Sequence, residues 1–375
     1  MRISGGLVLK PNGGWSREDV SIENDRFSET ENSGETINAG GLYVLPGFID
    51  LHTHGAVGVD VNGADENGFR KISRFFATQG VTSWQCSILT DTVETTLETI
   101  SEAVKAIESE PDGAKLIGIH LEGPCLSSEY KGAMPEHLLM KKADQGLFER
   151  YIEAANGHIT YVTLSPEIDG APELTKWLTS QGIRVALGHS GATYEETIRC
   201  IDAGAVSGTH VGNAMRLFHQ HEPGIFGAIL ESDAYCEAIC DGRHLSPASV
   251  RLFRKTKGDG RMIAITDSIM ATGMPDGKYK LGVNDVIVEN GDAKLIDGTR
   301  AGSTLTMAGA LKNIIKFTGI PLENAAKWLS KNPADMMGRK DLGRIKSGAC
   351  ADLAILDKNL NVICTVAGGR AVYQK

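Results

Sequence analysis

The chain has 375 residues, of which 41% are hydrophobic and 23% charged, and its net charge is −9 at pH 7. This size and composition fit a globular enzyme with one large α/β domain, or with a barrel and a small companion domain. The negative charge, without a basic stripe, argues against nucleic-acid binding. Because no apolar run approaches the roughly 18 residues of a membrane span and no apolar leader follows Met1, we expect a cytoplasmic protein without a membrane partner.

Both ends of the chain consist of short β-like segments separated by Gly and Asn turns. Segments such as 7–9 near the start and 351–356 near the end lack a helical period. We therefore predict that residues 1–46 and 340–375 form one small β-sandwich domain built from both termini.

The middle of the chain, residues 47–339, alternates apolar strands with helical segments, which favours parallel βα units. Eight such units over roughly 290 residues are typical of a TIM (β/α)8 barrel with insertions. The predicted strands are 44–51, 81–89, 115–120, 159–164, 183–187, 205–209, 235–239 and 262–266. Beyond the last strand, the composition of residues 277–298 predicts a hairpin insert, followed by a helix over 305–317.

Several of these predicted strands end in a residue that can bind a metal or transfer a proton. His52 and His54 are two residues apart, so a strand directs both imidazoles to one face. Because a barrel brings its strand ends to one rim, where its active site lies, the residues at these ends should converge. Any one of them also fits a buried or capping side chain, but six together favour a metal-dependent site. The six are His52, His54, Glu122, His189, His210 and Asp267.

The order of these six residues resembles the amidohydrolase superfamily. Longer motifs, found along nearly the whole chain, resemble the N-acetylglucosamine-6-phosphate deacetylase family. These motifs are His120-Leu-Glu-Gly-Pro124, Lys131-Gly-Ala133, Leu187-Gly-His-Ser-Gly-Ala-Thr193, His210-x-x-Asn-Ala-Met215, Glu222-Pro-Gly224, Asp241-Gly-x-His244 and Ala301-Gly-Ser303.

The resemblance implies a hydrolase that removes acetate from an N-acetyl amino sugar, with N-acetylglucosamine 6-phosphate as the expected substrate. It also implies a homodimer and one or two divalent metal ions per subunit. The implied ligands of one ion are Glu122, His189 and His210. The residues that match ligands of a second ion are His52 and His54, and Asp267 matches the catalytic acid/base.

The same resemblance, together with nearby basic residues, gives the expected substrate-binding positions. Those that match the family's motifs are Ala133, Asn213, Ala214 and His244. Candidates in the same loops are His221, Arg243, Arg300, Ala301 and Gly302.

The chemistry of amide hydrolysis agrees with this assignment. A metal lowers the pKa of its bound water to about 7 and polarises a carbonyl group. Asp267 can take the proton of the water and pass it to the departing amine. Nitrogen and oxygen ligands without a thiolate favour zinc, with iron, manganese and cobalt as alternatives.

Two positions depart from the family pattern. Where many members have an arginine from the neighbouring subunit that binds the sugar phosphate, this chain has His221, which lacks a bidentate fork. Where the family often has a histidine that polarises the amide carbonyl, Met134 can donate no hydrogen bond. Candidate replacements for the missing arginine in the same loops are Arg216, Arg243 and Arg300, although each also fits an ordinary surface arginine.

Three alternative functions stay open at this point. The first is a deacetylase of N-acetylgalactosamine 6-phosphate or of an unphosphorylated N-acyl amino sugar. The second is a cyclic-amide hydrolase of the dihydroorotase or hydantoinase kind, but the carboxylated lysine typical of the fourth strand end is absent here, where residues 164–167 read Leu-Ser-Pro-Glu. The third is a metal-binding barrel without catalytic activity.

Overall fold

The first part of the chain forms strands, as its apolar segments broken by turns predict. The structure, a computed structural model, describes residues 1–30 and 34–375. The first five strands are β1 (Arg2–Leu9), β2 (Trp15–Glu23), β3 (Arg26–Ser28), β4 (Thr36–Asn38) and β5 (Tyr43–Pro46).

The middle of the chain alternates strands and helices. Its strands are β6 (Phe48–Asp50), β7 (Gly55–Ala56), β8 (Val59–Asp60), β9 (Val81–Leu89), β10 (Lys115–Glu122), β11 (Ile159–Leu164), β12 (Arg184–Leu187), β13 (Ser207–Gly208), β14 (Tyr235–Ile239) and β15 (Met262–Ile265). Its helices are α1 (Glu66–Ala77), α2 (Val93–Glu108), α3 (Gln145–Ala154), α4 (Ala171–Ser180), α5 (Tyr194–Asp202), α6 (Gly224–Glu231) and α7 (Pro247–Lys257), with a 3₁₀ turn at Glu136–Leu138.

The last part of the chain adds an insert, three helices and the C-terminal strands. The insert is the antiparallel sheet β16 (Gly277–Leu281), β17 (Asn284–Glu289) and β18 (Asp292–Lys294). The helices are α8 (Met307–Thr318), α9 (Leu322–Leu329) and α10 (Lys331–Met336), and the strands are β19 (Leu353–Leu356), β20 (Val362–Ala367) and β21 (Arg370–Gln374).

Eight of the strands form a parallel barrel in chain order, from β6 through β9 to β15. The first and last strands meet beyond their ends, where the Asp267 amide donates to the His52 carbonyl oxygen at 2.9 Å. All nine residues of β9 are buried, because helices cover the outside of the barrel and side chains fill its interior. Each strand end therefore opens onto one rim.

The helices bury one apolar face against these strands. Helix α1 begins at the cap Asp65, whose side chain accepts a hydrogen bond from the Gly68 amide. Its Phe76 ring meets the fully buried Trp84 of β9 edge-on, with ring centroids 5.2 Å apart. Such contacts fix the strand ends on which a site depends.

Both termini build one further sheet, in the order β21-β20-β19-β5-β1-β2-β3, with β4 on β1. It has an apolar cluster of its own, which includes Val8, Val44 and Ile355. The predicted architecture, a barrel with a small β domain from both chain ends, is confirmed. Within the described ranges, no helix combines the length and apolar character that crossing a bilayer requires.

The predicted first strand, 44–51, is wrong in its extent, because it is two strands in two different sheets. Strand β5 pairs with β19 of the terminal sheet, whereas β6 pairs with β9 of the barrel. The chain changes sheets at Gly47, where a Cβ atom would lie 2.2 Å from the Thr82 hydroxyl oxygen. Because both β5 and β6 are largely buried, the sequence is apolar on both sides of Gly47 and does not reveal the change of sheet.

Candidate active site

The six residues at the predicted strand ends meet at one end of the barrel. Each follows or ends a barrel strand, and each is at most 8% exposed. In chain order they are His52 and His54 after β6, Glu122 at the end of β10, His189 after β12, His210 after β13 and Asp267 after β15.

Glu122 lies between two groups of imidazoles. Its Oε1 atom is 3.2 Å from Nε2 of both His189 and His210. Its Oε2 atom is 3.2 Å from Nε2 of His54. The Nε2 atoms of His189 and His210 are themselves 3.2 Å apart, so three donor atoms face one point.

A second group of donor atoms lies beside the first. The Nε2 atoms of His52 and His54 are 3.1 Å apart, and Asp267 Oδ1 is 3.1 Å from His54 Nε2. Two ligands of a tetrahedral zinc ion, each about 2.0–2.1 Å from the metal, are about 3.3 Å apart. The donor spacing in both groups fits a divalent cation, and His52 lies within reach of both.

Backbone carbonyls orient two of the imidazoles. His54 Nδ1 donates to the Ser87 carbonyl oxygen at 2.9 Å, and His189 Nδ1 donates to the Tyr130 carbonyl oxygen at 3.0 Å. Because a carbonyl oxygen only accepts, Nδ1 carries a proton and Nε2 is the nitrogen that faces the site. This arrangement is typical of histidines that bind metals.

The charges of the group favour ionised carboxylates. Burial opposes this state, but the imidazoles of His52, His189 and His210 hold the pKa of Glu122 well below its usual value. Burial is likewise outweighed at Asp267, where the hydrogen bond from His54 and the charge of His52 lower the pKa to about 2. Both carboxylates are therefore ionised at neutral pH and available to bind a cation.

The backbone of the site is in an unfavourable conformation at several positions. Of nine non-glycine residues with positive φ in the described parts of the chain, four belong to the predicted site: His189, His210, Ala214 and Asp267. Such angles cost free energy in residues with a Cβ atom and persist where surrounding contacts enforce them. Four of these strained positions therefore lie at the site, where the backbone angle sets the direction of each side chain.

A cavity of about 460 Å³ opens above these residues, within the range of small-molecule sites. Most of the predicted substrate-binding residues line it: Ala133, Asn213, Ala214, His244, Arg300 and Gly302. Met134 also lines the cavity, although it is only 2% exposed and packs in the apolar cluster beneath the insert.

Three other predicted residues lie away from the cavity wall. Ala301 is buried beneath it in the same apolar cluster. The Arg243 guanidinium donates to the Asn290 carbonyl oxygen at 2.5 Å. His221 is exposed in the loop before α6, where Arg216 is ion-paired with Glu222. Neither Arg216 nor His221 reaches the cavity of its own chain.

Other residues around the site were not predicted from the sequence. Lys131 lines the cavity, and its place in the Lys-Gly-Ala motif was the only signal for it. Glu237 lies buried beneath the imidazoles in β14. A single acidic residue within the apolar run 235–240 could have identified it.

Comparison with known proteins places the chain among enzymes. Residues 43–372 match the model of the amidohydrolase family. The N-acetylglucosamine-6-phosphate deacetylase of Vibrio furnissii is 35% identical over 368 residues, which are 96% of this chain and 92% of that protein. The N-acetylgalactosamine-6-phosphate deacetylase of Escherichia coli O157:H7 is 35% identical over 349 residues, which are 92% of this chain and 89% of that protein.

A solved structure agrees with these sequence relatives. It is a variant of the N-acetyl-D-glucosamine-6-phosphate deacetylase of Mycobacterium smegmatis, in complex with N-acetyl-D-glucosamine-6-phosphate. That chain is 34% identical to this one with a TM-score of 0.93, and the match covers 100% of this chain and 99% of that one. The chain described here therefore belongs to the N-acetylglucosamine-6-phosphate deacetylase family of the amidohydrolases.

Proposed function

We propose that this protein is a metal-dependent deacetylase that hydrolyses N-acetylglucosamine 6-phosphate to acetate and glucosamine 6-phosphate. The observation that carries the proposal is the convergence of four imidazoles and two carboxylates on the floor of a cavity of about 460 Å³. Amide hydrolysis needs an activated water, a polarised carbonyl and a proton donor for the amine, and this set of groups can supply all three.

The proposal assigns Glu122, His189 and His210 to one divalent cation, and His52, His54 and Asp267 to a second. Zinc is the expected metal, because the donors are nitrogen and oxygen in tetrahedral spacing, and iron, manganese and cobalt share this preference. When bound, a divalent cation supplies the Lewis acidity that polarises the acetamide carbonyl and activates a water, and Met134 offers no hydrogen bond that replaces it.

Asp267 moves the proton in this mechanism. Because its pKa is lowered to about 2, the carboxylate begins the reaction ionised at neutral pH. It accepts a proton from the attacking water as the new C–O bond forms. It then returns this proton to the sugar nitrogen as the C–N bond breaks, so that the amine leaves as a neutral group.

Lys131 is our candidate for the phosphate-binding residue. Both Lys131 and Arg300 line the cavity, but Arg300 is already paired with Asp292, Nε to Oδ1, at 3.2 Å. Lys131 is half-buried and makes no ion pair with any described residue. Asp297, on the same cavity wall, interacts with the Lys131 charge over a longer distance. An ammonium group without a direct ion pair is suited to bind the phosphate that His221 does not reach in this chain.

Replacement of Lys131 by Met should therefore reduce kcat/KM for the 6-phosphate sugar by about 10–100-fold, the value of one charge-assisted hydrogen bond. Acetate release from plain N-acetylglucosamine should hardly change. The matched control is Lys142→Met, which removes an exposed lysine 3.8 Å from Asp169. An equal loss of kcat/KM on both sugars would show that Lys131 supports the structure of the site but does not bind the phosphate.

The galactosamine epimer is the second candidate substrate. A relative of that specificity, from Escherichia coli, is as similar to this chain as the Vibrio furnissii relative, at 35% identity. The deciding experiment measures acetate release by the metal-loaded protein from both 6-phosphate epimers and both plain sugars. We expect N-acetylglucosamine 6-phosphate to give the highest kcat/KM, and the proposal fails if none of the four sugars releases acetate.

A cytoplasmic homodimer completes the proposal. The loop that carries His221 also exposes Leu217 and Phe218, by 81% and 58%. Large apolar side chains with this exposure favour burial against a partner protein. The family resemblance also implies that this loop reaches the neighbouring subunit. Light scattering of the purified protein tests the expected mass of two chains.

A further inference from the structure

Glu237 is a buried carboxylate to which the mechanism above gives no role. It lies in the middle of β14 with no solvent exposure, and its neighbour across the strand pair is Ile263. A carboxylate taken out of water costs several kcal/mol unless charges and hydrogen bonds compensate. The groups that compensate Glu237 therefore indicate what it does.

Both oxygens of Glu237 face groups of the site. Oε1 accepts a hydrogen bond from the Tyr161 hydroxyl at 2.5 Å. Oε2 accepts one from the His210 backbone amide at 3.2 Å and lies 3.5 Å from Nδ1 of His52. One side chain thus touches two of the residues assigned to the metal.

His52 lacks a hydrogen-bond acceptor at Nδ1, as does His210 among the described residues. The Nδ1 atoms of His54 and His189 each have a backbone carbonyl as acceptor. Nδ1 of His52 is buried and has no hydrogen-bond partner among the described residues. The Glu237 carboxylate is within a small side-chain adjustment of it, and supplies the acceptor that the backbone supplies elsewhere.

Tyr161 holds one oxygen of this carboxylate, and the His210 amide holds the other. Burial and the charge of Glu237 raise the pKa of Tyr161 well above its usual value, so the phenol keeps its proton and donates it to Oε1. The Tyr161 ring packs on His120 with centroids 4.6 Å apart. Both ring nitrogens of His120 are hydrogen-bonded to hydroxyl groups, Nδ1 to that of Ser87 at 2.8 Å and Nε2 to that of Thr163 at 2.9 Å. Oε1 is thereby held, and Oε2 faces His52.

We propose that Glu237 is a positioning residue for the metal site, which accepts the Nδ1 proton of His52 and anchors the backbone of His210. The inference rests on the metal ligands proposed above. A carboxylate behind a metal-binding imidazole fixes the tautomer, directs Nε2 to the ion and makes that nitrogen a stronger donor. Through one side chain, the strand β14 would then support both groups of ligands.

The test is Co²⁺ binding to the metal-free protein with Glu237→Gln, followed by competition with a chelator and by visible absorption. Gln keeps the shape of Glu but loses the negative charge, and only one of its two terminal atoms can still accept a hydrogen bond. We expect the affinity for one Co²⁺ equivalent to fall by about 10–100-fold, with a changed absorption spectrum. The matched control is Tyr161→Phe, which removes a hydrogen bond of Glu237 on the far side and leaves its charge.

Thermal unfolding of the metal-free variants separates positioning from general stability. Both substitutions should lower the metal-free Tm, whereas only Glu237→Gln should weaken Co²⁺ binding strongly. Unchanged affinity and spectrum in Glu237→Gln would overturn the proposal, as would an equal loss of affinity in Tyr161→Phe. If the unmodified protein binds no Co²⁺, the ligands under the proposed function fail as well.

A measurement on the unmodified protein covers the case in which Glu237→Gln does not fold. In the Zn²⁺-loaded protein labelled with ¹⁵N-histidine, His52 should retain a slowly exchanging proton on Nδ1 and carry the metal on Nε2. Its resonance can be assigned through contacts with the His120 ring, whose centroid is 4.8 Å away. A His52 without an Nδ1 proton would rule out the hydrogen bond to Glu237.

Discussion

Substitution of Asp267 by Asn is expected to lower kcat for acetate release by about 10²–10⁴-fold, the usual contribution of a general acid–base residue. The side chain keeps its size, and its remaining oxygen can still occupy the position of Oδ1, 3.1 Å from His54 Nε2. What it loses is the ability to take a proton from water and return it to the amine. KM for the sugar phosphate should change little, because the substitution leaves the cavity wall intact.

The control for this substitution is Asp285→Asn, in the insert. Asp285 is exposed and pairs with Lys280 at 3.2 Å, so it has the same chemistry without contact with the imidazoles. The metal content of both variants must be measured, since Asp267 is also one of the donors grouped with His52 and His54. Near-normal turnover in Asp267→Asn with full metal would remove this residue from the mechanism.

Residue type and position within the strands were sufficient to predict which groups meet at the rim. Periodicity gives the end of each strand, and barrel topology brings those ends together regardless of their separation in sequence. Glu122, His189 and His210 accordingly lie 3.2 Å apart, although they come from three different strands. Their roles as ligands stay predictions until metal is measured.

Where both faces of a strand are buried, the sequence pattern did not show where the chain changes sheets or which side chain has a special role. The break at Gly47 and the acidic residue Glu237 both lie in continuous buried runs, in which no alternation marks a change of sheet or a special face. The break depends on Thr82 of a neighbouring strand, and the role of Glu237 depends on Tyr161 across the barrel. Neither contact is visible in local sequence.

The cavity wall was harder to predict than its floor, because loops build it. Lys131 and Arg300 come from distant loops, and only the folded chain shows that both line one cavity. His221 shows the converse, since a motif gave it a function while the structure places it in an exposed loop of its own chain. A motif fixes the chemistry of a loop residue, but tertiary contacts and partner subunits fix its position.

Loss of one ligand should have the second large effect. His210→Asn is the most informative change, because its Nδ1 atom has no hydrogen-bond partner among the described residues and Nε2 faces only Glu122 and other imidazoles. Asn also tolerates the left-handed backbone at this position, where φ is 27°. The substitution therefore removes a metal donor with little other damage.

We expect His210→Asn to lose the cation at Glu122 and His189. Its affinity for the metal should fall by more than the roughly 10–100-fold that follows when a residue hydrogen-bonded to a metal ligand is replaced. Acetate release should fall with it, because this cation supplies part of the Lewis acidity that activates the water and polarises the carbonyl. His120→Asn is the comparison: His120 is fully buried in the same barrel, but hydroxyl groups occupy both its nitrogens. It should lose stability and keep its metal. Elemental analysis decides the matter, since a full complement of metal in His210→Asn would show that His210 is not a ligand.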